Sequence, residues 1–349
     1  MKIKLLVCAL LVFCFLREAS AQDPQFIQFY ASPLQLNPAM TGVFPGKWRI
    51  VANYREQWNS ILGDNPFRSI SASFDARSRV GQGDYFAYGI TALRDQAGSS
   101  NYLRTSADFS LSYMKQLGGG YRGADQFLIG GAQVGFGQHT LDYQNLWFSS
   151  QFDGTVEQID RTLSSGETIN DASDLYLNIN AGLLWYAVYD DNQSLYFGGA
   201  FHHVNAPKVS FIDANGKENM ERKWVVHAGG ELPFSHEFSM LPAVAVMGQG
   251  PSLLSLFGTN IRYTNRDWRE LAIRAGAWGH LSKDVEGSIY LPAVTFTAVL
   301  ELNRLNIGIS YDVNVNKLSA PTNNRGAYEI SLIYYQPASK RENVNCPKL

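Results

Sequence analysis

Apolar and polar residues alternate with a period of two along much of this chain, most plainly from Leu103 to Leu117. Leu103, Thr105, Ala107, Phe109, Leu111 and Tyr113 fall on one face of an extended strand, and Arg104, Ser106, Asp108, Ser110 and Ser112 on the other. The pattern recurs where Leu175, Leu177, Ile179, Ala181, Leu183 and Trp185 oppose Tyr176, Asn178, Asn180 and Gly182. It recurs again where Leu305, Ile307, Ile309, Tyr311 and Val313 oppose Asn306, Gly308, Ser310, Asp312 and Asn314. Followed through the chain, it predicts about fourteen strands, near 47–59, 66–77, 85–95, 102–117, 125–139, 174–189, 194–205, 222–233, 236–248, 252–264, 269–281, 286–302, 304–315 and 326–336. Each has roughly ten residues or more, longer than the ~5 to 6 of soluble strands and close to the ~9 to 11 with which a tilted strand crosses a bilayer.

The connections divide into two classes. Even-numbered ones include the short Asp190–Gln193, Pro233–Ser235, Asn265–Asp267 and Asn303, whereas the odd-numbered set holds the long ones, about 140–173, 206–221 and 316–325. Short turns on one side and long loops on the other belong to a bacterial outer-membrane barrel. A soluble sandwich or propeller would use shorter strands with no systematic long side, and no fixed-period repeat supports a propeller. The predicted fold class is therefore all-β, a transmembrane antiparallel β-barrel of about 14 strands. No mature apolar run exceeds nine residues, even counting Gly182 in Ala181–Tyr189, which excludes a membrane-spanning helix.

The segment before the first strand has a different character. Pro24, Pro33 and Pro38 remove three backbone donors from Gln22–Gly42, so it is neither a continuous helix nor a central strand. Yet it carries Phe26, Ile27, Phe29, Tyr30, Leu34, Leu36 and Met40, more apolar surface than a solvated tail holds. Fourteen strands enclose more space than their own side chains fill. Ser106, Ser110, Ser112, Gly182 and Gly308 are small on the polar face of the wall and leave room inside. The segment is expected to pack in or across the periplasmic mouth, with Phe26, Phe29, Tyr30, Leu34, Leu36, Asn37, Pro38 and Met40 as plug or partner contacts.

Composition adds boundaries and compartment. Lys2 and Lys4, the apolar run Leu5–Leu16 and Ala19-Ser20-Ala21 form a secretory signal. The expected organisation is a signal peptide at 1–21, a plug-like segment at 22–46, the barrel at 47–336 and a tail at 337–349, with both termini periplasmic. Cys8 and Cys14 leave with the signal, so Cys346 alone makes no disulfide framework. Removing Lys2, Lys4, Arg17 and Glu18 takes the formal charge from −2 to −4, which gives no electrostatic footprint for nucleic acid.

Candidate chemistry is sparse. His202 and His203 are adjacent on a predicted strand, point to opposite faces and cannot chelate one metal. His227 and His280 read as satisfied polar residues. Gly118–Gly123 lacks the Lys-Ser/Thr ending and the following helix of a phosphate loop, so it reads as a turn. The acidic residues at 171–174 and 190–191 lack a calcium-loop pattern and read as exposed turn residues. With no Gly-x-Ser-x-Gly and no His-Glu-x-x-His, no enzyme class, cofactor or metal is indicated.

The last strand, Gly326–Tyr335, alternates Tyr328, Ile330, Leu332 and Tyr334, an apolar edge that barrel closure would pair. Together with Gln22-Asp-Pro-Gln-Phe26, Gln28-Phe-Tyr30, Leu36-Asn-Pro-Ala-Met-Thr-Gly42, Tyr54-Arg-x-Gln-Trp58, Ile309-Ser-Tyr-Asp-Val-Asn314, Gly326-Ala-Tyr-Glu-Ile-Ser331 and Cys346-Pro347, the chain resembles the PorP/SprF family of type IX secretion and gliding-motility outer-membrane proteins of the Bacteroidetes. The resemblance implies a barrel in outer-membrane lipid that docks periplasmic secretion components or a secreted adhesin's C-terminal domain, with no catalytic residues. Two further functions stay open at the level of residues: a small-molecule transport channel with the N-terminal segment as its hatch, and an outer-membrane hydrolase.

Overall fold

Strands that are apolar on one face and polar on the other satisfy both faces only if the sheet has two environments, and closure of the sheet removes its edges. The computed structural model describes residues 23–337 apart from 82, 99, 121–122, 144–145, 155, 167–169, 191, 212–218, 266–270, 284–286 and 318. The signal peptide, Cys8, Cys14, Cys346 and the tail beyond 337 lie outside the described residues.

Fourteen antiparallel strands close into one barrel. In chain order they are β1 Trp48–Gln57, β2 Phe67–Val80, β3 Asp84–Ala97, β4 Tyr102–Gly120, β5 Gly123–Thr140, β6 Tyr176–Asp190 and β7 Gln193–His202. Next come β8 Lys223–Pro233, β9 Phe238–Gln249, β10 Ser252–Thr264, β11 Leu271–Lys283, β12 Ala293–Leu302, β13 Leu305–Asn314 and β14 Arg325–Gln336. Each pairs with its sequence neighbours, and β1 pairs with β14 from Trp48↔Gln336 to Gln57↔Ala327, which closes the barrel. The expected edge strand thus has a partner on both sides.

The largest departure from the expected boundaries is in the twelfth strand. The twelfth strand, expected over 286–302, starts at Ala293, because Pro292 has no N–H to give the ladder. Ile289–Tyr290 makes a separate short pairing with Lys283 and Ser282 of β11. The longest connection, between β5 and β6, carries its own two-residue ladder, Phe152–Asp153 with Gln158–Ile159. Gly118–Gly120 end β4 and Gly123 opens β5, paired at Gly120↔Gly123, while residues 121 and 122 of that expected turn lie outside the described residues.

The apolar face points outward. On β4, Phe109, Leu111 and Tyr113 are exposed, while Arg104, Ser106, Asp108, Ser110 and Ser112 are buried inside. Aromatic clusters flank the apolar band at both rims, as expected at membrane interfaces. Trp48, Phe74 and Tyr334 group at the short-turn rim with Phe238 and Tyr263, and Tyr54 with Tyr328 and Trp58 with Phe67 at the long-loop rim. Among the described residues no helix is long and apolar enough to cross a membrane; the strands cross it.

Candidate functional site

Charged and polar residues on the inner wall cannot stay buried without partners, and the segment before β1 supplies them. It contains three short turns, Phe29–Ala31, Pro33–Leu36 and Pro38–Met40. Pro33 and Pro38 each sit at the first position of a turn, where a missing N–H leaves nothing unsatisfied. Asn37 caps the third turn by accepting from the Ala39 amide at 2.9 Å.

The segment runs through the lumen from rim to rim. Asp23 lies at the long-loop rim, against Arg104, His203, Lys223 and Gln249, residues at the ends of β4, β7, β8 and β9. Gly42 lies at the short-turn rim, where its N–H donates to Asp75 Oδ2 at 2.8 Å. Asp75 also holds Arg49 through Nε at 2.9 Å and Nη2 at 2.8 Å, a fully buried bidentate pair. Phe44 packs beneath the Arg49 and Arg77 guanidinium groups, 4.8 and 5.4 Å from its ring centre. Packing inside the barrel therefore extends well beyond one mouth. Asp23 and Gln336 lie at opposite rims; the termini themselves, which were expected to share one side, fall outside the described residues.

Between the rims the backbone is held by wall side chains. Glu329 accepts from the Ile27 and Gln28 amides at 2.8 and 3.0 Å, and Arg55 bridges Glu329 and Asp312 at 3.3 and 2.9 Å. The Gln28 side chain donates to Ser310 at 3.2 Å and accepts from Ser331 at 2.9 Å. Asn53 donates to the Ala31 carbonyl, Gln35 to Ser71, and Ser112 to the Thr41 carbonyl. Asn37 Nδ2 faces the carbonyls of Leu183 and Gly199 and His227 Nε2, at 3.0, 3.2 and 3.0 Å. Phe29 meets Trp278 edge to face, 5.4 Å between ring centres.

All eight residues singled out in the sequence are buried here: Phe26, Phe29, Tyr30, Leu34, Leu36, Asn37, Pro38 and Met40. In this conformation they face the wall, not solvent. The small wall positions are what admits them, since a Cβ at Gly182 would stand 2.0 Å from Asn37 Oδ1, and one at Gly308 2.6 Å from Gln28 Oε1. The polar half of the site, Asp23, Gln28, Arg49, Asp75, Arg55, Glu329 and Arg104, is not among the residues singled out in the sequence. For the wall residues Arg49, Arg55, Asp75, Arg104 and Glu329 the signal was available in the strands, because a charged residue on the inward face of a wide barrel demands a partner; Asp23 and Gln28 precede every strand and had no such signal.

The histidine pair needs correction. His202 and His203 both point inward, because β7 ends at His202 and His203 adopts a left-handed backbone, φ 56°. His202 Nε2 donates to the Leu36 carbonyl at 3.2 Å, and His203 meets Asp23 and Asn178, each at 2.7 Å. No group of metal-ligating side chains occurs among the described residues. His227 contacts Asn37, and His280 Nε2 lies 2.6 Å from Thr295 Oγ1. Asp171 and Asp174 are exposed, and residue 191 is outside the described residues.

At Asp23, burial alone would raise the carboxyl, but Arg104 beside it, with His203 and Lys223, holds it well below the usual carboxylate range.

The family model for the type IX secretion system membrane protein PorP/SprF matches residues 18–334, nearly the whole described chain. The chain belongs to the PorP/SprF family. The PorP/SprF fold here is a membrane barrel threaded by its own N-terminal segment. Among solved structures, the chain is similar to CdiB from Escherichia coli, at 11% identity and TM-score 0.45, over 82% of this chain and 63% of that one. It is also similar to the Ralstonia pickettii toluene transporter TbuX, at 11% identity and TM-score 0.47, over 87% of this chain and 92% of that one. The TodX monoaromatic hydrocarbon channel matches at 11% identity and TM-score 0.47 over 87% and 93%. The chain spans under two thirds of CdiB's length. No curated protein matches it in sequence.

Proposed function

We propose that this PorP/SprF barrel is a non-enzymatic outer-membrane component of type IX secretion that docks proteins, either periplasmic secretion components or a secreted surface protein's C-terminal domain. One observation carries the reading. The lumen is occupied from rim to rim by the chain's own segment, fastened at Asp23, Glu329 and Asp75. A conduit needs a lined path, and here many inward polar groups are spent on the segment and others on one another, as in Gln133 with Ser110 and Arg274 with Glu301. Loops and rims remain as working surfaces, and the loop between β5 and β6 places Trp147, Phe152, Val156 and Ile159 in the open.

The test is affinity purification of the tagged protein from detergent-solubilised outer membranes, with co-purifying chains identified and planar-bilayer conductance measured in parallel. Docking predicts a secretion component or a secreted C-terminal domain in the eluate, and a closed barrel until Gln22–Gly42 is deleted. A bare eluate together with solute-dependent conductance of the intact chain would replace docking with the channel-and-hatch alternative.

A further inference from the structure

Asp23 is held by four buried wall side chains, two of them cationic. Arg104 Nη1 and Gln249 Nε2 reach Oδ1, the latter at 3.1 Å, while His203 Nε2 at 2.7 Å and Lys223 Nζ at 3.8 Å face Oδ2. Gln249 Oε1 accepts from the Asp23 amide at 2.8 Å, so one wall residue reads both side chain and backbone. All four wall groups are more than nine-tenths buried, and they come from strands or strand ends that the barrel fixes independently of the segment. The acidic groups nearby are Asp95, paired across the sheet with Arg104 and bonded to Ser69, and Asp108, bonded to Asn178.

Spare donors remain beside the carboxylate. Arg104 Nε and Thr91 Oγ1 are buried without a hydrogen-bond partner, and both residues line a cavity of about 60 Å³ shared with Asp23, Pro24, Asp108 and His203. A second cavity of about 30 Å³ lies along Pro24, Gln25 and Phe26. Between Asp23 and Ile27 the segment is lightly fastened, because Pro24 has no N–H, Gln25 Oε1 is unpartnered, and the next backbone anchor is the Ile27 amide on Glu329. This stretch lies at the long-loop rim, so loss of the Asp23 contacts would free residues 23–25 to move outward while Ile27 stays anchored to Glu329.

We propose that Arg104, His203, Lys223 and Gln249 form a carboxylate-binding site in the barrel wall, occupied in this conformation by the chain's own Asp23 and taken by a partner polypeptide's carboxylate when Asp23 withdraws. That the ligand is a polypeptide rests on the docking reading; the carboxylate chemistry does not. Asp23 is then a tethered competitor, and an incoming acidic segment meets a site whose occupied fraction sets its apparent affinity.

The full-length protein in detergent is titrated with a fluorescent tetraglutamate peptide, C-terminally amidated, and with its tetraglutamine counterpart. Asp23→Ala, or Asp23→Asn, which removes the charge alone, should bind the glutamate peptide at least tenfold more tightly than the unaltered chain and leave glutamine binding unchanged. Adding Arg104→Gln or Lys223→Gln should abolish that gain, with gel heat-modifiability reporting that each barrel is folded. Equal binding before and after removal of Asp23, equal affinity for the two peptides, or a gain that survives both added substitutions would overturn the site. A secretion partner that still co-purifies under any of those results would leave docking standing and remove only the carboxylate site.

Discussion

Asn37 presses its side-chain oxygen onto the backbone of Gly182, so close that a β-carbon there would stand 2.0 Å away. The same amide faces two strand carbonyls, of Leu183 on β6 and Gly199 on β7, while Ala39 lies over Gly131 of β5, where a β-carbon would stand 2.4 Å from its nitrogen. The third turn of the segment is thus seated on a floor of two glycines, Gly131 and Gly182, cross-strand partners on β5 and β6. Complementarity here is steric, and a methyl group is enough to break it.

Gly182→Ala should destabilise the seated segment by about 1 to 3 kcal/mol through overpacking. Gly130→Ala is the control: it faces lipid on the neighbouring strand, and its β-carbon would meet only Leu183 at an ordinary 3.9 Å. It should stay within about 0.5 kcal/mol. Urea midpoints of the two variants in detergent, measured by the folded gel band, separate these outcomes. Equal midpoints would mean that Asn37 does not seat against Gly182.

Glu329 takes two segment amides and one arm of Arg55. Glu329→Gln leaves the carboxylate pairing with Arg55 broken and one amide without an acceptor. Arg55 keeps Asp312 at 2.9 Å, so the loss is chiefly that of one buried amide without an acceptor, about 1 to 3 kcal/mol, and the Ile27 and Gln28 amides should exchange hydrogen at least ~10-fold faster than in the unaltered chain. Unchanged exchange would show that the turns hold the segment without the wall.

Much of this was legible in the alternation. The β4 pattern of Phe109 and Leu111 against Ser110 and Ser112 specified which face meets lipid and which the lumen, and strand positions followed from it. Gly182 and Gly308 were readable as room inside. The path of the segment was not readable, because its direction is set by long-range pairs such as Asp23 with Arg104 and Gly42 with Asp75, between residues distant in sequence. His203 shows the same limit locally. Its left-handed backbone places it beside His202 inside the wall, and period-two reasoning holds only while the strand continues.

Asp75 fastens the segment at the short-turn rim by holding Arg49 and Gly42 together. Arg49→Lys keeps the charge and loses the fork, which should cost about 1 to 2 kcal/mol. Asp75→Asn leaves Arg49 buried beside a neutral amide and should cost about 3 to 5 kcal/mol. Midpoints in urea rank the two, and a larger loss for Arg49→Lys would place the weight on guanidinium packing over Phe44 instead.

Asp23 gives the long-loop end its pH dependence. Its carboxyl is held well below the ordinary range by Arg104, His203 and Lys223 against the opposing effect of burial. A depressed carboxylate contributes stability that is complete above the unfolded value, near ~4, and lost as pH falls through the folded one. A cysteine at position 24, with Cys346 replaced by serine, should therefore stay shielded from a soluble maleimide at constant pH after preincubation between pH 8 and pH 5. Preincubation well below pH ~4 with a pH-insensitive footprint in place of maleimide should expose it, and Asp23→Asn should expose it across the whole range. Exposure that rose between pH 8 and pH 5 in the Asp23 chain would assign the latch to a group other than this carboxylate.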